Sequence, residues 1–127
     1  MSDVIVDASA ILAAIKQEPG GERVAADARG AHISALNYCE IAGWLAERGS
    51  TGADIDRLVA PFDLTVAVFD RERASAAGLL AAKTVRRGVS LGDRACLALA
   101  IELGLPVMTA DRAWRDLDFG VEIRLIR

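Results

Sequence analysis

The sequence predicts an α/β fold: a central, mainly parallel five-stranded sheet with helices packed on both of its faces. Short β-type runs alternate along the chain with segments whose apolar residues recur at helical spacing, the pattern of a parallel sheet. The 127 residues include only three prolines and no stretch that reads as a linker, so residues 1–127 are expected to form one domain. A chain of this length buries roughly two-thirds of its unfolded surface, enough for one core. With 53% hydrophobic residues, disorder is excluded.

The elements follow in order. Asp3 to Val6 is an apolar β-type run closed by Asp7. Ser9 then opens a segment in which Ile11, Leu12, Ala14 and Ile15 keep helical spacing until Pro19-Gly20-Gly21 stops it. A weaker helix is predicted over Glu22 to Ala28 and a strand over Ala31 to Ile33, with Ser34 as N-cap of the next helix. That helix should run to about Arg48 and end at Gly49; a shorter one, about Ala53 to Ala60, stops near Pro61. Leu64 to Phe69 reads as a strand, and Asp70 caps an Ala-rich helix predicted to reach about Arg87, with Gly88 as its terminator. Ser90 opens a helix that reaches Glu102 and ends at Gly104. Pro106 to Thr109 is the fourth strand, Ala110 to Leu117 a short helix, and Val121 to Leu125 the final strand. Right-handed crossovers bring the carboxyl end of every strand to one edge, where ligand sites form in such folds.

Composition narrows the function. A net charge of −3 argues against a plain polyanion-binding surface, but leaving four metal-bound carboxylates out of the count turns −3 into +1. No apolar run approaches the roughly 20 residues that span a bilayer, and acidic Asp3 stands where a signal peptide carries basic residues. A cytoplasmic protein without membrane contact is therefore expected. Cys39 and Cys96 lie in apolar helical patterns and read as buried free thiols. His32 has no second His or nearby Cys at ligand spacing and reads as structural.

Four carboxylates carry the chemistry. Asp7 follows the first strand and Asp111 the fourth. Glu40 lies two turns into the helix after the second strand, and Asp93 in the first turn of the helix leading to the fourth. All four belong on the same edge. Plain alternatives exist for three: Asp7 as a helix cap, Asp93 as part of a capping box over Ser90-Leu91-Gly92-Asp93, and Asp111 as a first-turn acid favoured by the helix dipole. Glu40 resists such a reading, being the only Asp, Glu, Lys or Arg between Ala31 and Ala46, with Leu36, Asn37, Gly43 and Trp44 on its helical face. A carboxylate on an apolar helix costs several kcal/mol unless it is paired, here with a distant Arg, or coordinated. Crowded carboxylates take up protons unless a cation neutralises them, and an all-oxygen set without His or Cys selects Mg²⁺ or Mn²⁺ over zinc. Such an ion acidifies a bound water and stabilises charge on phosphorus, so hydrolysis of a phosphodiester is expected. Gly20-Gly21 follows a helix and is no phosphate loop.

These residues resemble the PIN domain, specifically the VapC ribonuclease toxins of bacterial toxin–antitoxin pairs. The matching stretches are Val4-Ile5-Val6-Asp7-Ala8-Ser9-Ala10, Asn37-Tyr38-Cys39-Glu40-Ile41-Ala42, Ser90 to Ala100, and Val107-Met108-Thr109-Ala110-Asp111-Arg112-Ala113-Trp114. Their order and spacing agree over the whole chain. The resemblance implies an α/β/α sandwich with the first and fourth strands adjacent. It also implies Mg²⁺- or Mn²⁺-dependent endonucleolytic cleavage of RNA at Asp7, Glu40, Asp93 and Asp111. Ser9 and Thr109 match hydroxyl positions near the metal or else serve as plain helix caps, and Asp116 is a candidate further acid, with an exposed helical acid the preferred reading. Arg86, Arg87, Arg94 and Arg112 are candidates to hold RNA phosphates, the latter two favoured because they stand beside proposed ligands. The partner implied is a small VapB-like antitoxin that blocks the site, with the toxin a homodimer inside a toxin–antitoxin hetero-oligomer. Trp44 and the Ala-rich helices are offered as an apolar contact surface.

Two other readings compete. An aspartyl-phosphate phosphatase needs a second Asp two residues after the first, where Ser9 stands; a receiver needs a Lys near its last strand, where Arg124 and Arg127 stand. A catalytically weak or inactive module binding RNA or a protein partner is the stronger alternative, although all four acids are present.

Overall fold

The computed structural model describes residues 3–84 and 88–127. Five strands, β1 (Ile5–Val6), β2 (His32–Ser34), β3 (Thr65–Ala67), β4 (Val107–Thr109) and β5 (Ile123–Leu125), form one sheet in the order β3-β2-β1-β4-β5. Every pairing is parallel, with Ile5 opposite both His32 and Val107. The expected adjacency of first and fourth strands is therefore observed, and the strand order turns at β1.

Alternation along the strands separates two cores. Val4 and Val6 face one side with Ile33 and Met108, where α1 (Ala8–Ile15), α2 (Gly21–Asp27), α3 (Ala35–Glu47) and α4 (Gly52–Val59) pack through Ile11, Val24, Ile41 with Leu45, and Val59 respectively. Ile5 and Val107 face the other side, covered by α7 (Leu91–Leu103) through Cys96, Leu97 and Ala100 and by Trp114. Between β3 and α7 lie α5 (Arg71–Leu79) and α6 (Ala81–Thr84). A side chain pointing alternately up and down the pleat makes this two-layer arrangement the only one that buries both sets.

Capping residues work where the sequence places them. Ser34 accepts from the Leu36 N–H at 3.2 Å to start α3, Asp70 accepts from the Arg73 N–H at 3.0 Å, and Gly104 ends α7 in the left-handed region at φ 65°.

Three details differ from expectation. The Ala-rich helix predicted to reach Arg87 is broken at Leu80, whose N–H bonds back only three residues to Ala77. The Thr84 hydroxyl donates to the Leu80 carbonyl at 2.8 Å, so a side chain takes up an acceptor at the break. The predicted end of that helix, with Arg86 and Arg87, lies outside the described residues. After β4 the chain forms a 3₁₀ turn over Arg112–Asp116 rather than an α-helix, pinned by buried Trp114. Cys96 is buried as expected, but Cys39 is exposed, because α3 turns Ile41 and Leu45 inward and leaves Cys39 on its outer side.

Candidate active site

Asp7, Glu40, Asp93 and Asp111 line one open cavity of about 300 Å³, together with Ser9, Asn37 and the apolar Ala8, Leu12 and Trp44. The topology explains the meeting. Asp7 and Asp111 follow neighbouring parallel strands, α3 starts at the end of β2, and α7, which returns to β4, has its N-terminus on the same edge.

Asp7 is the buried member, 5% exposed. Its Oδ1 accepts from the Ala10 N–H at 3.0 Å, capping α1, and from the Ser9 hydroxyl at 2.8 Å. Its Oδ2 accepts from the Thr109 hydroxyl at 2.5 Å. Those two hydroxyls are themselves fixed: Ser9 Oγ accepts from the Ala110 N–H at 3.0 Å and Thr109 Oγ1 from the Asp111 N–H at 3.1 Å. The carboxylate is thus tied to both α1 and the end of β4. Burial pushes its pKa up to about 6, against the lowering effect of the Thr109, Ala10 and Ser9 hydrogen bonds and with a small upward push from Asp93. An acid strained toward neutrality in this way gains from a nearby cation.

The other three acids stand further out, and each uses one oxygen structurally. Asp93 Oδ2 accepts from the Ser90 N–H at 3.0 Å while Ser90 Oγ accepts from the Asp93 N–H at 3.2 Å, the expected capping box. Asp111 Oδ1 caps the 3₁₀ turn through the Ala113 N–H at 2.9 Å. Glu40 Oε1 accepts from Asn37 Nδ2 at 2.8 Å. The capping box expected at Asp93 is observed, whereas Asp111 caps the 3₁₀ turn instead of lying in a helix's first turn; each acid keeps a second oxygen outside these bonds. Glu40 is exposed rather than desolvated, which corrects the expectation of a costly apolar setting: its helix presents the core-facing residues on its other side. Among the described residues no three His, Cys, Asp or Glu side chains form a ready-made cage for an ion. The acids surround open space, the arrangement suited to a hard ion that keeps waters and completes its shell with phosphate oxygens.

Ser9 and Thr109 sit where the sequence expects them, against Asp7. Arg94 and Arg112 do not reach the cavity. Arg94 bends back to donate to the Val89 carbonyl at 3.0 Å, since one step along α7 from Asp93 rotates it to another face. Arg112 donates to the Arg127 carbonyl at 3.4 Å. Asp116, exposed in the 3₁₀ turn, is likewise outside the lining. Trp44 does line the cavity, half-buried, with the Arg48 guanidinium 3.6 Å and Lys16 Nζ 4.8 Å from its ring centroid.

Two residues escaped the sequence reading as site components. Asn37 is 1% exposed and joins Glu40 to the Gly92 carbonyl, 3.0 Å from its Nδ2. Gly92 has no room for a side chain, because a Cβ there would lie 2.4 Å and 2.6 Å from the two Glu40 carboxylate oxygens. The signals were present: Asn37 stands three residues before Glu40 on one helical face, and Gly92 immediately precedes Asp93.

Comparison with known proteins identifies the family and the fold. A family model described as PIN domain matches residues 4–120. No curated protein sequence matches the chain. Among solved structures, the chain is similar to one in DNA-bound VapBC from Salmonella typhimurium, with 22% identity, all of both chains covered and a TM-score of 0.70. It is also similar to one in VapBC2 from Rickettsia felis bound to a DNA fragment from their promoter, at 14% identity over 96% of this chain and 97% of that one, TM-score 0.71. PAE2754 from Pyrobaculum aerophilum matches at 18% identity over 96% and 83% of the two chains, TM-score 0.63.

Proposed function

From the premise that this chain belongs to the PIN domain family, we propose that it is a metal-dependent endoribonuclease and the toxin of a toxin–antitoxin pair. The observation that carries the reading is a cavity lined by four acids, one of them buried with its pKa raised to about 6. Mg²⁺ or Mn²⁺, held by Asp7, Glu40, Asp93 and Asp111, fits the all-oxygen donor set and the open space between the acids. Such an ion, when bound, would acidify a water and offset the charge that develops on the scissile phosphate.

The chain's own side chains set the stage. Thr109 and Ser9 hold the Asp7 carboxylate in one orientation through hydroxyl donors, so little rearrangement is required when it becomes fully ionised. Glu40, Asp93 and Asp111 line the cavity and each keeps one oxygen outside its structural bond, and Trp44 with its stacked Arg48 forms one wall for an RNA strand. Residues 1–127 act as one domain in this reading. Two of the similar solved structures are VapBC complexes, which supports a small VapB-like antitoxin as the partner; a toxin homodimer within a hetero-oligomer is part of the same proposal. No helix among the described residues is long and apolar enough to cross a membrane, in keeping with action in the cytoplasm.

The test is incubation of the partner-free chain with total RNA, with and without Mg²⁺ or Mn²⁺, beside Asp7→Asn and Asp93→Asn. Discrete metal-dependent cuts absent from both variants are expected. A folded chain that binds Mn²⁺ and leaves every RNA intact would overturn the ribonuclease.

A further inference from the structure

Asn37 is a polar residue in the cavity wall whose buried amide forms a bridge between two elements. Its Nδ2 donates to Glu40 Oε1 at 2.8 Å within α3 and to the Gly92 carbonyl at 3.0 Å on α7. Both protons of the amide are thereby used, which fixes its orientation: swapped end for end, it would face two acceptors with its own oxygen. The remaining atom, Oδ1, is buried and accepts from no group in the described residues. Buried polar atoms normally find partners, so an orphaned acceptor in a cavity-lining residue calls for a donor that the chain does not supply.

Gly92 completes the device. The space its missing Cβ would fill is taken by the Glu40 carboxyl group, at 2.4 Å, 2.6 Å and 2.7 Å from the two oxygens and Cδ. Glu40 therefore lies directly against the first turn of α7, one residue from Asp93, although it is exposed and its own helix leaves it several rotamers. An exposed Glu with free rotamers would occupy a ligating position only part of the time.

We propose that Asn37 and Gly92 are positioning residues that lock Glu40 against α7 in the orientation in which it shares a divalent ion with Asp93. Asn37 supplies the bond and Gly92 the space. The role rests on the metal-dependent reading above.

The test is Mn²⁺ binding to the full chain, followed by electron paramagnetic resonance so that inactive variants remain measurable, with circular dichroism melts alongside. Asn37→Ala is expected to weaken Mn²⁺ binding about 10- to 100-fold, the usual effect of losing a group that orients a ligand. Glu40→Ala should do the same, and the double variant should bind no worse than Glu40→Ala alone, because Asn37 acts through Glu40. Gly92→Ala is the control for folding. Ala is the better helix former, so the melting temperature should hold or rise while Mn²⁺ affinity falls, since the added methyl displaces Glu40. Losses that add in the double variant, or a Gly92→Ala chain that binds Mn²⁺ as tightly as the unaltered one, would overturn the positioning role and leave the nuclease standing. Absence of Mn²⁺ binding in the unaltered chain would instead overturn the metal reading, and this role with it.

Discussion

Asp7 and the three outer acids share a cavity but are built on opposite terms. Asp7 is 5% exposed, receives three hydrogen bonds from two elements, and has its pKa pushed up to about 6 by burial. Asp93 is half-buried and Glu40 and Asp111 are exposed, each with one oxygen committed to a cap or an amide. The difference teaches how such a site divides its labour. The buried acid is held in place at the expense of its own ionisation, and so gains most from a cation. The outer acids are less buried, and each keeps its structural bond whether or not an ion is present. Stability and function should therefore separate at Asp7 and run independently at the rim.

The largest break in this contrast comes from Asp7→Asn. Metal-dependent cleavage should fall by on the order of 10³-fold or more, the scale on which removing a preorganised electrostatic group acts. At pH 7.5 without metal the same variant should melt several degrees higher than the unaltered chain, because a neutral amide removes the burden of a buried charge. An unchanged or lower melting temperature would show that the three hydrogen bonds already offset the burial.

A pH series sharpens the same point. Folding raises the Asp7 pKa from its ordinary 3.8 to about 6, so between these values the folded chain keeps a proton that the unfolded chain has lost. Stability from this group is present in full below pH 3.8 and is lost as pH rises through about 6, a difference of about 3 kcal/mol. In the absence of metal, the advantage of Asp7→Asn over the unaltered chain should thus be small at pH 4 and approach its full size by pH 7.5. Mn²⁺ should reverse it, raising the unaltered chain's melting temperature far more at pH 7.5 than at pH 5. Measuring both chains together isolates Asp7 from carboxylates such as Glu102, whose pKa is lowered by its hydrogen bond with Arg73 and which titrates in the opposite sense.

The contrast also explains what could be read from sequence. The parallel sheet, its helices, and the convergence of Asp7, Glu40, Asp93 and Asp111 followed from strand–helix alternation, because topology alone sends those positions to one edge. Their division into a buried acid and a rim did not. Glu40 looked like the buried, costly charge because its neighbours in sequence are apolar, yet α3 has two faces and the apolar one belongs to Ile41 and Leu45. The same reasoning misplaced Cys39. Asn37 and Gly92 were passed over because their roles depend on a contact 55 residues apart in the chain, which no local pattern encodes. The break at Leu80, where the Thr84 hydroxyl donates to the Leu80 carbonyl, likewise carries no mark in the Ala-rich pattern.

At the rim the effects should be smaller, and stability should change only where a cap is lost. Asp111→Asn keeps a good cap and should weaken Mn²⁺ binding with a melting temperature within about two degrees of the unaltered chain, whereas Asp111→Ala should lose about 1 kcal/mol of stability as well. Equal melting temperatures for the two would mean that the bond to the Ala113 N–H is formed too weakly to count.

Arg112 marks the lower end of the scale. Its place beside Asp111 in sequence suggested a phosphate contact, but its guanidinium donates to the Arg127 carbonyl and lies outside the cavity lining. That bond is long and exposed, of a kind that contributes little. Arg112→Ala should change KM for an RNA substrate by less than about twofold at moderate salt, since a long-range charge effect on a mobile polyanion is largely screened there. Arg48→Ala, which strips the cation from the Trp44 ring in the cavity wall, should raise KM more than Arg112→Ala and leave kcat near its original value. The reverse ranking would mean that RNA approaches from the β4–β5 side of the cavity rather than along α3, and that sequence adjacency to Asp111 was the better guide after all.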